Sequence, residues 1–297
     1  MSDVSRFLDP NLVQQLNHLQ LTARSVVEGI TAGQHRSRLK GASVEFRQHR
    51  SYTPGDEPRR LDWRVLARTD RPYVREFQEE TNLRAVILLD RSGSLAYGRR
   101  FGTKFEYACR IAAAISYLML GQTESVGLAV FGERIDRWLA PQSHENQLSR
   151  ILEILEDTSP QGASSAQVSM SELASRLNRR SLILIVSDFY SPLQRLRGGL
   201  ARLRHDRHEV IAMQVVDPDE LEFPFRNFWR FHGLESEATT LFDTSLLRRS
   251  YLNNFKRHEH GLQEACRAIG VEWSRFNTER PLDEALLSFL RRHEMRR

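Results

Sequence analysis

The sequence predicts an α/β protein built on a doubly wound, mostly parallel sheet flanked by helices. Three observations carry this. Short apolar runs rich in β-branched residues recur from residue 85 onward, helical patterns separate them, and two of the runs end at an aspartate, Asp90 and Asp188. A strand with one wet face alternates polar with apolar residues, so continuous apolar strands between helices indicate a sheet covered on both sides.

Taken in order, Leu12, Leu16, Leu19, Val26 and Val27 follow Asp9-Pro10 at spacings near three, four and seven, which predicts an amphipathic N-terminal helix over 9–30. Residues 33–80 read as an irregular, strand-containing segment, because Gly33, Gly41, Pro54-Gly55-Asp56 and Pro72 break its short apolar stretches. Residues 1–80 are therefore expected to pack as an appendage on a main domain spanning 81–297. In that domain the predicted strands are Ala85–Leu89, Val126–Phe131, Ser181–Val186, Val210–Val216 and Val271–Phe276. Helical patterns lie at about 104–120, 144–157, 169–178, 192–206, 244–269 and 281–294. Arg137-Trp138-Leu139 suits a short edge strand. Residues 217–243 carry Phe223, Phe225, Phe228, Trp229 and Phe231, too aromatic for a solvated linker, and predict a hairpin insertion packed against the sheet edge.

At 297 residues and 40% hydrophobic composition the chain is long enough for a sizeable core. No stretch reaches the roughly 20 apolar residues a spanning helix needs, and the polar start lacks a signal-peptide apolar region, so a cytoplasmic location is expected. Cys109 and Cys266 have no metal-type spacing and read as reduced packing residues. His205, His208, His258 and His260 read as solvated helix positions. No phosphate-binding Walker loop exists, so any ATPase activity has to come from a partner.

The chemistry concentrates after the first strand, at Asp90-Arg91-Ser92-Gly93-Ser94. Ligands of open α/β sheets bind beyond the carboxyl ends of the strands. D-x-S-x-S there places one carboxylate and two hydroxyls on a tight loop, an all-oxygen set suited to Mg²⁺ or Mn²⁺. Asp188, after the strand Leu182–Val186, adds a second carboxylate to the same crevice. The competing reading is a turn in which Asp90 caps the loop and Ser92 and Ser94 satisfy backbone donors.

D-x-S-x-S after the first strand, with a later strand-end aspartate, resembles the metal-ion-dependent adhesion site of von Willebrand factor A domains. That resemblance implies that an acidic side chain of a partner completes the metal shell. It also implies a threonine between the two motifs. This chain has Gly162-Ala163-Ser164-Ser165-Ala166 there, so Ser164 or Ser165 would have to supply that hydroxyl.

Upstream, Arg50, Tyr52, Pro54, Gly55, Asp56, Asp62 and Trp63 follow the pattern R-x-Y-x-P-G-D-x-x-R-x-I-D-W, with Leu61 in place of Ile and the arginine at Arg59 or Arg60. This segment, ahead of the D-x-S-x-S strand and the Ser-Asp strand end, resembles the domain of unknown function 58 (DUF58) family over most of the chain. The resemblance implies a von Willebrand factor A-like domain working with a MoxR-type AAA+ ATPase in chaperone-like assembly or activation of client proteins. Physically, Asp56 and Asp62 lie among Arg50, Arg60 and Arg68 and would pair with them, with Trp63 as a buried apolar anchor. His35 and Ser37 begin the same segment. Alternatively the arginines face an acidic partner. Interleaved Asp56, Glu57, Asp62 and Glu76 cancel the field that nucleic acid would need.

The resulting expectation is a non-enzymatic interaction module that binds an acidic client, including a membrane-associated one, without a membrane span of its own. Two alternatives stand beside it. One is a Mg²⁺-dependent phosphatase-like hydrolase with Asp90 as nucleophile, although the second acid such enzymes carry two residues on is Ser92 here. The other is a metal-free scaffold with a vestigial site.

Overall fold

The computed structural model describes residues 6–35, 45–51, 63–69, 73–78, 83–235 and 239–295. The chain divides into two units, Met1–Val27 with Leu83–Arg297, and Glu28–Asn82.

The larger unit holds a six-stranded sheet. Its members are β3 (Arg84–Asp90), β4 (Ser125–Phe131), β5 (Ile135–Gln142), β6 (Leu182–Ser187), β7 (Glu209–Val216) and β10 (Glu272–Asn277), in the order β10-β7-β6-β3-β4-β5. Every pairing is parallel except β4 with β5. That exception follows from the connection: three residues join β4 to β5, enough for a hairpin but far too few for the crossover a parallel pair requires. The predicted edge strand at 137–139 is thus the middle of β5.

Ala85–Leu89 are fully buried. Val86 and Leu88 belong to a core shared with Met170, Leu200, Leu262 and Cys266. These come from α5 (Ala166–Arg176), α6 (Leu193–His205) and α8 (Thr244–Ala268). On the other side α3 (Lys104–Leu120) packs against β3, β6 and β7. It starts at a capping box in which the Thr103 hydroxyl accepts from Glu106 N and the Glu106 carboxylate accepts from Thr103 N. From β3 the chain moves outward to β4 and β5, then returns through α4 (Gln147–Glu156) and α5 to the opposite side at β6. The topological switch point of the doubly wound sheet therefore lies between β3 and β6.

The N-terminal helix α1 (Pro10–His35) buries Leu12, Leu16 and Leu19 as its periodicity predicts. Asp9 Oδ1 caps it by accepting from Leu12 N at 2.9 Å. Tyr117 of α3 donates to Asn17 Oδ1 at 2.8 Å, so this first part of the helix belongs with the larger unit. Among the described residues no helix is long and apolar enough to cross a membrane.

The smaller unit contains an antiparallel pair, β1 (Glu45–Ser51) with β2 (Tyr73–Gln78), and a short helix α2 (Trp63–Thr69). Trp63 is 63% exposed, which corrects the expectation of a buried anchor. Arg68 lies exposed on α2, His35 closes α1 and Arg50 lies in β1 opposite Val74. Ser37, Tyr52, Asp56, Arg60 and Asp62 fall outside the described residues.

Two further expectations are corrected. The 217–243 insertion, which contains α7 (Pro218–Glu222), does not lie on a sheet edge. Its strands β8 (Phe228–His232) and β9 (Thr239–Asp243) pair only with each other, and the turn residue Leu234 rests against Gly93, beyond the central strand β3. His208 is buried at the start of β7 rather than solvated on a helix, and His258 is half-buried, its Nε2 3.0 Å from Phe189 O. His205 and His260 are exposed as expected, and Cys109 and Cys266 are free and buried.

His208 Nδ1 accepts from Ser181 N at 3.2 Å, which requires an unprotonated Nδ1. Burial lowers its pKa below the ordinary histidine value. A depressed folded pKa contributes stability above the unfolded pKa that is lost as pH falls through it. Unfolding in urea at pH 7.5 and 5.5 should show a smaller acid loss in His208→Asn, whose Oδ1 accepts the same hydrogen bond without titrating. Equal losses in both proteins would show that His208 is not responsible.

Candidate functional site

At the switch point β3 ends in Asp90, and the chain turns through Arg91 and Ser92 into a single 3₁₀ turn at Gly93–Ala96. Backbone bonds fix this loop to its neighbours. Arg91 N donates to Phe131 O at 2.9 Å, and Gly93 N donates to Gly162 O at 2.8 Å. Asp90 is locked on both oxygens: Oδ1 accepts from Ser92 N at 2.8 Å and Oδ2 accepts from Ser187 Oγ at 2.6 Å. The hydroxyls of Ser92 and Ser94 stand 3.0 Å apart. Asp90 thus caps the loop as the turn reading has it, while the two serine hydroxyls face each other.

Ser187 and Asp188 leave β6 beside this loop. Ser187 Oγ also accepts from Phe189 N, and Asp188 Oδ1 accepts from Tyr190 N at 3.1 Å. Asp90, Ser92, Ser187 and Asp188 are each no more than 2% exposed. Burial pushes the Asp90 carboxyl up to about 7, and the negative charge of Asp188 adds to the shift. Two buried carboxylates at adjacent strand ends therefore carry less positive charge around them than full ionisation needs.

Part of that deficit is met by a residue the sequence reading passed over. Lys104, at the first turn of α3, sends its ammonium inward to Asp188 Oδ2 at 2.8 Å and Glu220 Oε1 at 2.7 Å. Burial lowers the lysine pKa, but Asp188 and Glu220 together outweigh it and hold the ammonium charged. Nζ also lies 5.4 Å from the ring centroid of Tyr190, which stacks on His258. Glu220 is placed by α7, whose cap residue Asp217 accepts from Asp219 N and, at 3.3 Å, from the Thr278 hydroxyl. Asp219 in turn accepts from Tyr97 Oη at 2.9 Å and Arg99 at 3.1 Å. Lys104 is one of only three lysines in the chain, the others being Lys40 and Lys256. That rarity at a strand-following helix start was its one sequence signal.

Ser164 and Ser165 lie half-buried on the loop that Gly162 O ties to the first one, and Ser165 N donates to Gly132 O in the β4–β5 turn at 2.9 Å. The Ser165 side chain makes no capping bond to α5. Among the described residues no three His, Cys, Asp or Glu side chains converge as a metal-binding group, so a cation at this crevice depends on the serine hydroxyls.

Removing one partner of a buried charge cluster leaves the others uncompensated, which costs about 3–5 kcal/mol. Lys104→Met should lower stability by that amount in urea unfolding, because Asp188 and Glu220 lose their common counter-charge. A loss under about 1 kcal/mol would show that the cluster is not needed for the fold.

Sequence comparison places a relative from Mycobacterium tuberculosis, the uncharacterized protein Rv1480, at 30% identity over 278 residues, covering 92% of this chain and 86% of that protein. A crystal structure of an aerotolerance-related membrane protein from Bacteroides fragilis superposes with a TM-score of 0.50 at 15% identity, over 72% of this chain and all of that one. A second structure, the conserved hypothetical protein BatB from Bacteroides thetaiotaomicron, gives a TM-score of 0.46 at 14% identity over 71% of this chain and 99% of that one. The fold is a mostly parallel six-stranded sheet flanked by helices. The family described as protein of unknown function DUF58 matches residues 48–261, well over half of the sequence, and the chain belongs to that family.

Proposed function

We propose that this protein is a non-enzymatic interaction module that holds a divalent cation, Mg²⁺ or Mn²⁺, at the Asp90 crevice and through it receives a carboxylate of a client protein. The observation that carries the reading is the 3.0 Å separation of the Ser92 and Ser94 hydroxyls. An octahedral ion with bonds of about 2.1 Å has adjacent ligands about 3 Å apart, so the pair matches one edge of such a shell. Asp90, oriented by Ser92 N and Ser187 Oγ, would supply the negative charge, and Ser164 or Ser165 a further hydroxyl. Asp188, already paired with Lys104, would act from outside the inner shell. The cation would polarise and anchor an incoming carboxylate; the protein's part is to orient the oxygens and exclude water.

Family membership supports a working partnership with a MoxR-type AAA+ ATPase in assembly or activation of clients. A nucleophilic role for Asp90 has no support in the side chains around it, since Ser92 stands where a phosphatase of that type needs its acid.

Calorimetric titration of the full chain with Mn²⁺ should give one site, and Ser92→Ala with Ser94→Ala should weaken it at least tenfold while circular dichroism stays unchanged. Co-expression with the ATPase should yield a complex or a changed ATP turnover that EDTA removes. Equal Mn²⁺ affinity in wild type and double variant would sink the cation site, and EDTA-resistant association would sink its role in binding.

A further inference from the structure

The crevice read as an interaction site is closed by the protein itself. Ser92 is 1% exposed and Asp90 and Asp188 2% each, although nothing but this chain surrounds them. Gly93, between the two serines, shows what lies on top. A Cβ at that position would stand 2.0 Å from Leu234 O, 2.8 Å from Leu234 C and 3.4 Å from Glu235 N. Only a glycine lets the backbone after β8 approach the D-x-S-x-S loop this closely.

The hairpin that carries Leu234 is held by backbone bonds at its base and by an aromatic cluster. Thr244 Oγ1 donates to Phe225 O and Asn227 O at 3.1 and 2.8 Å, and Thr244 N donates to Asn227 O. Asn227 and Phe223 both adopt positive φ, +66° and +47°, so the chain turns sharply on entering β8. Phe225 lies edge-on to Trp229 at 5.0 Å, and the Arg99 guanidinium covers both rings at 5.4 and 5.3 Å. Arg99 is itself anchored on Asp219, in the helix that supplies Glu220 to Lys104. Phe231, in the middle of β8, packs on Phe225 at 5.5 Å and Phe223 at 6.3 Å, whereas Phe228 is 69% exposed and Leu234 45%, and among the described residues β8 and β9 pair with each other alone. An isolated two-stranded hairpin is marginal in water, so its position over Gly93 depends on the aromatic base.

We propose that the β8–β9 hairpin is an autoinhibitory strap: seated on Gly93 by the Phe225–Trp229–Arg99 contact, it closes the loop over buried Ser92 while Ser94 stays half-buried, and a partner reaches Ser92 only after the strap lifts. This rests on the crevice being the interaction site, not on a cation being held there.

The test reads access to the crevice without metal. In the full chain Ser92→Cys places a thiol under the strap, against the background of Cys109 and Cys266, which are 0% and 1% exposed. Iodoacetamide labelling in EDTA should be at least tenfold faster when Trp229→Ala is added. If that variant does not fold, Arg99→Ala removes the other half of the same contact and replaces it. An unchanged rate overturns the strap. Because no metal is present, the Mn²⁺ titration judges the cation site separately, and either reading can fail alone.

Discussion

Lys104 places its ammonium within 2.8 Å of Asp188 and 2.7 Å of Glu220, with 1% of its side chain exposed. An ammonium buried without partners would cost several kcal/mol, so its charge dictates where two other elements stand. One is the end of β6, which presents Asp188. The other is α7, a five-residue helix too short to persist alone. Its capping box, the Asp217–Thr278 bond and the Lys104–Glu220 pair hold it in place. Through Asp219 the same helix fixes Tyr97 and Arg99, and Arg99 covers the rings at the hairpin base. One buried charge thus organises the carboxyl end of the sheet from β6 to the hairpin.

The cluster remains short of positive charge. Lys104 pairs with Asp188 and Glu220, and Asp90, beside Asp188, has its pKa pushed up to about 7 by burial and by the Asp188 charge. A folded pKa above the unfolded value favours the fold in acid and withdraws that advantage as pH rises through about 7, opposite in sign to His208. Burial also pushes Glu220 upward, although Lys104 works against it.

The centre of the sheet was legible in the sequence because β3 and β6 are apolar on both faces and run into Asp90 and Asp188. Val86, Ile87, Leu88 and Leu89 form an unbroken buried run whose position next to Asp90 locates the switch point. The D-x-S-x-S loop was legible for the same reason. Lys104 was not, because a lysine at the start of a helical pattern ordinarily extends into solvent, and nothing local reveals that its head turns inward. Glu220 and Asp217 stood in a stretch read as a hairpin, although Asp217-Pro218 followed by Glu220 carries the signature of a capped helix. Trp63 was read as the buried apolar anchor of the arginine–carboxylate segment and is exposed. His208 was assigned to a helix surface because the apolar run of β7 begins only after it, whereas the tight turn through Arg207, at φ +64°, carries it under the sheet.

The buried crevice and the interaction role are compatible only if the covering element is weakly held. A partner shifts an equilibrium by no more than its preference for the open form, so a cover stabilised by many kcal/mol would make the crevice useless. The hairpin meets that condition. Its turn contributes a backbone contact at Gly93, and its described attachment lies in the rings of Phe225, Trp229 and Phe231 and the Arg99 guanidinium. Aromatic and cation–π contacts of this kind contribute about 0.5–2 kcal/mol each, within reach of a modest partner affinity. The strongly held part of the region is the Lys104 cluster beneath, which keeps Asp188 and α7 in place while the hairpin moves. A rigid charged floor under a lightly held aromatic cover gives the crevice two states without disturbing the sheet.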